Sequence, residues 1–228
     1  MLEGILVPIH RAGWPFVAAF ALASLLLGLV DDSLFWLGVV ATAWCVYFFR
    51  DPPRAVPARD GLVVAPADGR VQAVAEVVPP EEMELGAEAL WRVSIFLNVF
   101  DVHVNRVPVS GRIARIVYRH GKFLNASLDK ASELNERNSL TLQMEDGRRF
   151  GVVQIAGLVA RRIVCEVHEG QDLRAGERFG IIRFGSRTDL YLPRGVAPLV
   201  APGQRMLGGE SVIADLNSQE GPRRAETI

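Results

Sequence analysis

Cysteine and net charge are both scarce in this sequence. Only Cys45 and Cys165 occur among 228 residues, and their spacing fits neither a metal site nor a disulfide framework. The formal net charge is −1, from 25 basic and 26 acidic residues. Such a chain lacks the basic field that nucleic acid attracts, so the composition predicts neither a nucleic-acid partner nor a bound metal.

Two common functional motifs are also missing. A serine hydrolase with a nucleophile elbow needs G-x-S-x-G, which does not occur here. A biotin or lipoate carrier needs a lysine at its hairpin tip, whereas the turn here reads Ala67-Asp68-Gly69-Arg70. The same turn is similar to those of barrel-sandwich adaptor domains. A membrane-tethered binding module therefore stays open as an alternative.

Charge is absent from two apolar runs near the N-terminus. Residues 14 to 30 and 34 to 49 carry no charged side chain, and Asp31-Asp32-Ser33 separates them. Each run is slightly shorter than the ~20 residues that span a bilayer, so a spanning hairpin, a re-entrant hairpin and a buried soluble pair are all compatible. The several tryptophans and other aromatic residues favour a membrane, because such rings collect at its interfaces.

We therefore predict a membrane-anchoring helical hairpin over residues 1–50. Arg11 precedes the hairpin, and Arg50 and Arg54 follow it. Basic residues favour the cytoplasmic side, so both ends of the hairpin and the body of the chain that follows it are expected there, at the cell membrane.

The rest of the chain changes character. Residues 51–60 are rich in proline and predict a stiff connector. Short apolar runs then alternate with turn residues, most clearly at Asp146-Gly147, so residues 61–216 are predicted to form a mainly antiparallel β body of barrel-sandwich type. One short helix is expected from Asn125, with Leu128, Ala131 and Leu134 on one face. The polar residues 217–228 predict a disordered tail.

The pair Gly185-Ser186 suggests a self-cleavage reaction. Glycine tolerates a strained turn, and the hydroxyl of the following serine then lies within reach of the Gly185 carbonyl. Attack there would turn the amide into an ester, and elimination followed by hydrolysis would leave a pyruvoyl group. Most Gly-Ser pairs between apolar runs are simply hairpin turns, so the flanking sequence has to decide.

Four further sequence blocks occur in a fixed order: VVAPADGRV at 63–71, FLNVFDVHVNRVPVSG at 96–111, GKFLNASLDKASELNERN at 121–138 and GERFGIIRFGSRTDLYLP at 176–193. Together they resemble the phosphatidylserine decarboxylase proenzyme family, in particular its short bacterial and archaeal branch. The resemblance spans nearly the whole chain after the first fifty residues.

The resemblance implies a covalent pyruvoyl cofactor made from Ser186. Cleavage between Gly185 and Ser186 would give chains of residues 1–185 and 186–228, held together as a heterodimer, and a higher oligomer is compatible with this. The group forms a Schiff base with the amine of phosphatidylserine, in a lipid bilayer, and phosphatidylethanolamine is the product. Archaetidylserine or a related lipid is the alternative substrate.

The same blocks nominate further site residues. His103 is the candidate for proton transfer, since imidazole titrates near neutral pH. Asp68 resembles the aspartate that assists self-cleavage. Longer relatives carry a second histidine three residues after the first, but here that place holds Arg106, which cannot act as a base. Either His103 serves both steps or Asp68 acts without a histidine.

Three basic residues are candidates for substrate binding. Arg106 is a candidate to hold a carboxylate or phosphate. His120, beside the third block, is a candidate for a phosphate-facing patch together with Arg112 and Arg115, although a solvated charged face is the more common arrangement. Lys122, within the same block, is the third candidate.

Overall fold

The computed structural model describes residues 7–121, 135–157, 162–183 and 186–226. The chain divides into two compact units, residues 1–53 and 54–228. The first is helical and the second consists mainly of strands.

The helical unit is an antiparallel pair, α1 (Trp14–Gly28) and α2 (Asp32–Phe48). A proline in the first turn favours the start of α1, where its missing N–H is not needed. The carboxylate of Asp31 caps α2 by accepting a hydrogen bond of 2.8 Å from the backbone N–H of Ser33. Small residues let the helices approach: a Cβ atom at Gly38 would lie 2.6 Å from the Cβ of Ser24.

The outer surface of this pair is apolar. Leu25, Leu29, Trp36 and Leu37 are all exposed, Leu29 to 83%. The helical stretch Arg11–Gly28 is long and apolar enough to cross a membrane by length and composition, and α2 is a shorter apolar helix. One such helix near the N-terminus is consistent with membrane association.

Thirteen strands are found in the described part of the second unit. They are β1 (Leu62–Val64), β2 (Gly69–Val77), β3 (Leu90–Leu97), β4 (Val104–Arg106), β5 (Gly111–Arg119), β6 (Arg137–Gln143), β7 (Arg149–Ala156), β8 (Ile163–Cys165), β9 (Asp172–Leu173), β10 (Arg178–Ile182), β11 (Ser186–Tyr191), β12 (Arg205–Met206) and β13 (Val212–Asp215).

The strands form one large curled sheet and two small ones, and their pairings are antiparallel. The large sheet has the order β12-β2-β3-β11-β7-β6-β5-β9, so β11 lies near its centre. The three-stranded sheet has the order β4-β10-β8, and β1 pairs with β13. The predicted antiparallel β body is confirmed.

Each face of the large sheet is covered by a separate apolar cluster. Neighbouring residues of a strand point to opposite faces, so Leu190 belongs to the main core while Tyr191 packs on the other side. A short 3₁₀ turn at Glu81–Met83 covers that second side with the side chain of Met83. The central strand β11 is therefore buried along its whole length.

The hairpin predicted at Asp146-Gly147 is also confirmed. It joins β6 to β7, with Gly147 at a φ of 86° and the Asp146 carboxylate accepting from the backbone N–H of Arg148 at 3.0 Å. The helix expected from Asn125 lies outside the described residues.

Candidate active site

Ser186 is the first residue of the central strand. Its register partners are Leu97 on β3 and Ala156 on β7, so a strand lies on each side of it. The residue is completely buried, and its hydroxyl oxygen makes no hydrogen bond to any residue that the structure describes. A buried hydroxyl without a partner is costly, by about 1–3 kcal/mol, and is usually found where a ligand or a reaction requires it. Gly185 lies outside the described residues.

His103 lies beside Ile182, the last residue of β10, and Ile182 precedes Ser186 by four residues. His103 comes immediately before β4, and its carbonyl oxygen accepts a hydrogen bond of 3.2 Å from the backbone N–H of Ile182. This bond extends the pairing of β4 with β10, in which Val104 is opposite Ile181. The fold thus brings His103 to the segment that leads into Ser186.

The imidazole of His103 is buried and has a defined tautomer. Its Nδ1 atom lies 3.0 Å from the carbonyl oxygen of Asp101. A carbonyl oxygen can only accept, so Nδ1 carries the proton and the lone pair of the neutral ring is on Nε2. The ring is therefore arranged to take up a proton at Nε2.

A chain of three buried amides links β4 to the face that carries Ser186. Asn138 on β6 donates to the side chain of Gln154 at 2.9 Å, and Gln154 donates to that of Asn105 at 2.7 Å. Gln154 is the register partner of Thr188, so their side chains share a face, and Ser186 is two residues away on that face.

Asp68 lies just before β2 and is held by two groups. Arg54 donates to both carboxylate oxygens, at 2.9 and 2.8 Å, and the backbone N–H of Gly208 donates to Oδ1 at 2.8 Å. The following Gly69 lets β2 approach β3, since a Cβ atom there would lie 2.2 Å from the carbonyl oxygen of Phe96. Burial raises the pKa of Asp68 above 3.8, although Arg54 and the N–H of Gly208 act to lower it.

Asp101 connects the neighbourhood of Asp68 to His103. Its charge also raises the pKa of Asp68, while its backbone carbonyl accepts from the His103 ring. The Asp101 side chain accepts from the backbone N–H of Asn98 at 2.9 Å and from Arg205 at 3.1 Å. These contacts fix the turn that precedes His103.

Arg106 is buried, and its guanidinium donates to the carbonyl oxygen of Gly176 at 2.9 Å. In a strand, adjacent residues alternate, so Arg106 leaves β4 on the side opposite to Asn105. A Cβ atom at Gly209 would lie 3.0 Å from the Arg106 Cδ, which places this side chain close to the Gly208–Gly209 segment beside Asp68.

The other two candidate substrate-binding residues are not part of this buried group. The side chain of His120 is 90% exposed, with its Nδ1 atom 4.0 Å from the Glu136 carboxylate and its ring against Tyr118. Lys122 lies outside the described residues.

Sequence reasoning missed five residues of this region, namely Arg54, Asp101, Asn105, Asn138 and Gln154. A weak signal existed for two of them: Gln154 interrupts an apolar strand, and Asn105 follows His103 by two residues. The ion pair of Arg54 with Asp68 joins the connector to a turn, and such a pairing has no local sequence pattern.

Two other features lie away from Ser186. No cluster of histidine, cysteine, aspartate and glutamate suited to a metal ion is found within the described ranges. A surface cleft of about 1170 Å³ is lined by residues of the β5–β6 and β9 region, including Arg112, Gln143 and Asp172, but by none of the candidate site residues.

Comparison with known proteins identifies the class as an enzyme, a decarboxylase made as a proenzyme. A family model described as phosphatidylserine decarboxylase matches residues 41–214. Two relatives are named phosphatidylserine decarboxylase proenzyme. The one from Paramagnetospirillum magneticum is 58% identical over 219 residues, 96% of this chain and 91% of the relative. The one from Cereibacter sphaeroides is 58% identical over 223 residues, 98% of this chain and 96% of the relative. The chain belongs to the phosphatidylserine decarboxylase family.

Proposed function

We propose that this chain is a self-processing decarboxylase that converts phosphatidylserine to phosphatidylethanolamine and releases CO₂. The observation that carries the proposal is the buried, unpartnered hydroxyl of Ser186 at the start of the central strand, next to the segment paired with His103. The names of the relatives support the substrate and the proenzyme state, and they favour neither an archaetidylserine substrate nor a binding module.

Maturation begins at the bond between Gly185 and Ser186. The Ser186 hydroxyl oxygen bonds to the Gly185 carbonyl carbon as the amide C–N bond breaks, and the hydroxyl proton passes by way of a base to the freed amine. Loss of the Cα proton of residue 186 then breaks its Cβ–O bond, which leaves Gly185 with a carboxylate and residue 186 as dehydroalanine. Water replaces the nitrogen, which departs as ammonia, and a pyruvoyl group remains. The chains of residues 1–185 and 186–228 stay together as a heterodimer.

The surroundings of Ser186 fit such a group. The residue is buried, its oxygen has no partner within the described ranges, and strands on both sides hold its backbone. A pyruvoyl carbonyl supplies a site for the substrate amine and accepts electrons from the bond to the departing carboxylate. The residues of the chain must then bind the head group and exclude water.

His103 is the proposed proton-transfer residue. Because Nδ1 is held by the Asp101 carbonyl, Nε2 is the atom that takes up and returns protons. The product carbon needs one proton in place of the CO₂ that leaves, and His103 is the proposed source.

Asp68 is the proposed assistant in self-cleavage. Its hydrogen bonds to Arg54 and to the backbone N–H of Gly208 hold the carboxylate in one orientation. The charge of Asp101 raises the pKa of Asp68, and the backbone carbonyl of Asp101 accepts from the His103 ring. Arg106 is proposed to hold a phosphate or carboxylate of the lipid, and His120 and Lys122 are proposed to face its phosphate. The Arg106 guanidinium donates to the carbonyl oxygen of Gly176 through Nη1, so binding of a lipid group would have to use another of its N–H groups.

We also propose a role for each segment of the chain. Residues 1–50 anchor the chain in the cell membrane, 51–60 connect, 61–216 form the catalytic body on the cytoplasmic side, and 217–228 form a tail. The apolar stretch Arg11–Gly28 supports the anchor.

The experiment that tests the function is the mass of the purified chain. Wild-type protein is expected to give fragments of residues 1–185 and 186–228, the smaller one without a free amine and reactive toward carbonyl reagents. Ser186→Ala should give a single full-length chain without activity. A wild-type chain that decarboxylates the lipid while its mass stays intact would overturn the pyruvoyl mechanism.

A further inference from the structure

Two buried donors near Ser186 have no acceptor among the described residues. They are the Nδ2 atom of Asn105 and the hydroxyl of Thr188, and both residues are completely buried. An unpaired buried donor is costly, so two on one face indicate a polar group that is bound during function.

The fold places these donors close to Ser186. Thr188 follows Ser186 by two residues on the same face of β11, at about 7 Å between Cα atoms. Asn105 reaches that face through Gln154, the register partner of Thr188. The amide chain fixes the Asn105 side chain, because its Oδ1 atom is occupied by Gln154 and Nδ2 is left to donate.

We infer that Asn105 and Thr188 bind the carboxylate of the amino-acid head group and determine head-group specificity. The inference rests on the proposed function. The amine and the carboxylate of a serine head group are attached to one carbon, so a head group whose amine reaches residue 186 brings its carboxylate near these donors. A carboxylate accepts hydrogen bonds only, which matches an amide N–H and a hydroxyl.

Neutral donors also suit the reaction. A full ion pair would stabilise the charged carboxylate of the substrate, and that stabilisation is lost as CO₂ leaves and would slow the step. Two neutral hydrogen bonds hold the carboxylate at a smaller cost. The ethanolamine product lacks this carboxylate, so the same contacts favour exchange of product for substrate.

A binding experiment tests the inference without turnover. In the uncleaved Ser186→Ala chain, the affinity is measured for dihexanoyl phosphatidylserine and dihexanoyl phosphatidylethanolamine, which differ only by the carboxylate. We expect the serine lipid to bind more tightly. Adding Asn105→Ala should weaken binding of the serine lipid by about 10- to 100-fold, the range for a hydrogen bond to a charged group, with little effect on the ethanolamine lipid. Asn217→Ala, an exposed site, is the control.

Thr188→Val provides an independent variant. The Thr188 hydroxyl has no partner in the described part of the chain, so its removal breaks no hydrogen bond seen there and should leave folding intact. The preference for the serine lipid should again fall. In the otherwise wild-type chain, both variants should still cleave and should show a raised KM.

Three outcomes would overturn the inference. The serine and ethanolamine lipids bind equally to the Ser186→Ala chain; both variants keep the original preference; or the variants fail to cleave while their processed fraction shows a normal KM, which would assign the donors to maturation. A wild-type chain that neither cleaves nor releases CO₂ would refute the proposed function itself, which separates the two failures.

Discussion

Arg187 and Asp189 form a buried ion pair within the strand that begins at Ser186. The Arg187 Nε atom lies 2.9 Å from Asp189 Oδ1, and Nη2 donates to Oδ2 at 2.9 Å. Both side chains are only 1% exposed. They project from the face opposite to Ser186, because they occupy alternate positions. The pair therefore holds β11 directly after the proposed cleavage site, without occupying the space around the Ser186 hydroxyl.

Replacing Asp189 with Asn should destabilise the body strongly. The change keeps the side-chain shape but leaves the buried Arg187 guanidinium without its carboxylate, which typically costs about 3–5 kcal/mol. Chemical unfolding of the uncleaved Ser186→Ala chain in detergent measures this loss. The combined change Arg187→Met and Asp189→Leu should recover part of the stability, since it removes both charges.

A matched control for this prediction exists on the surface. Arg112 and Asp172 form an exposed bidentate pair between β5 and β9. Water screens this pair, so Asp172→Asn should leave the unfolding midpoint close to that of the parent. Equal effects of the two Asn variants would show that the Arg187–Asp189 pair is not a specific anchor.

His103→Ala should affect both chemical steps. If Nε2 moves protons in maturation and in turnover, self-cleavage slows, and the fraction that matures loses decarboxylation by about 10²- to 10⁴-fold, as is usual for a general acid or base. Fragment mass measures the first effect and CO₂ release the second. His168→Ala, at an exposed site, is the control. Fully processed His103→Ala enzyme with the wild-type rate would remove His103 from both roles.

How far the sequence predicted the molecule depended on whether a signal was local. Alternating apolar residues and the Asp146-Gly147 turn are local, so the antiparallel body could be predicted. The motif flanking Ser186 is also local and led to the family. The Asn105–Gln154–Asn138 chain joins β4, β7 and β6, which are distant in sequence, and only the folded register brings them together.

Attachment to membranes should survive high salt. The exposed surface of the helical unit is apolar and the whole chain has a net charge of only −1, so insertion rather than charge is expected to hold the protein. At 1 M salt the Debye length falls to about 3 Å, which would release an electrostatically bound protein. Sedimentation after a salt wash and after detergent measures the difference. Deletion of residues 1–50 should move much of the protein to the soluble fraction, and release of the full chain by salt alone would contradict the anchor.

Arg54 should set the acid limit of self-cleavage through Asp68. Burial raises the pKa of Asp68 and the Arg54 charge lowers it, so Arg54→Gln should raise that pKa further. If cleavage needs the Asp68 carboxylate, the acid limb of the cleavage rate should move to higher pH in this variant. Arg59→Gln removes another arginine of the same segment, one that pairs with Asp215, and should leave the limb in place.

The pH dependence of the stability of the uncleaved chain also tests whether Asp68 is the titrating group. Because the folded-state pKa of Asp68 lies above its ordinary value of 3.8, the folded state holds this proton more tightly. The Asp68 contribution to stability is therefore present below pH 3.8 and is lost as the pH rises through the raised pKa. In the Ser186→Ala chain, Arg54→Gln should enlarge this loss and Asp68→Asn should abolish it. Unfolding curves that depend on pH in the same way in all three chains would show that Asp68 is not the titrating group.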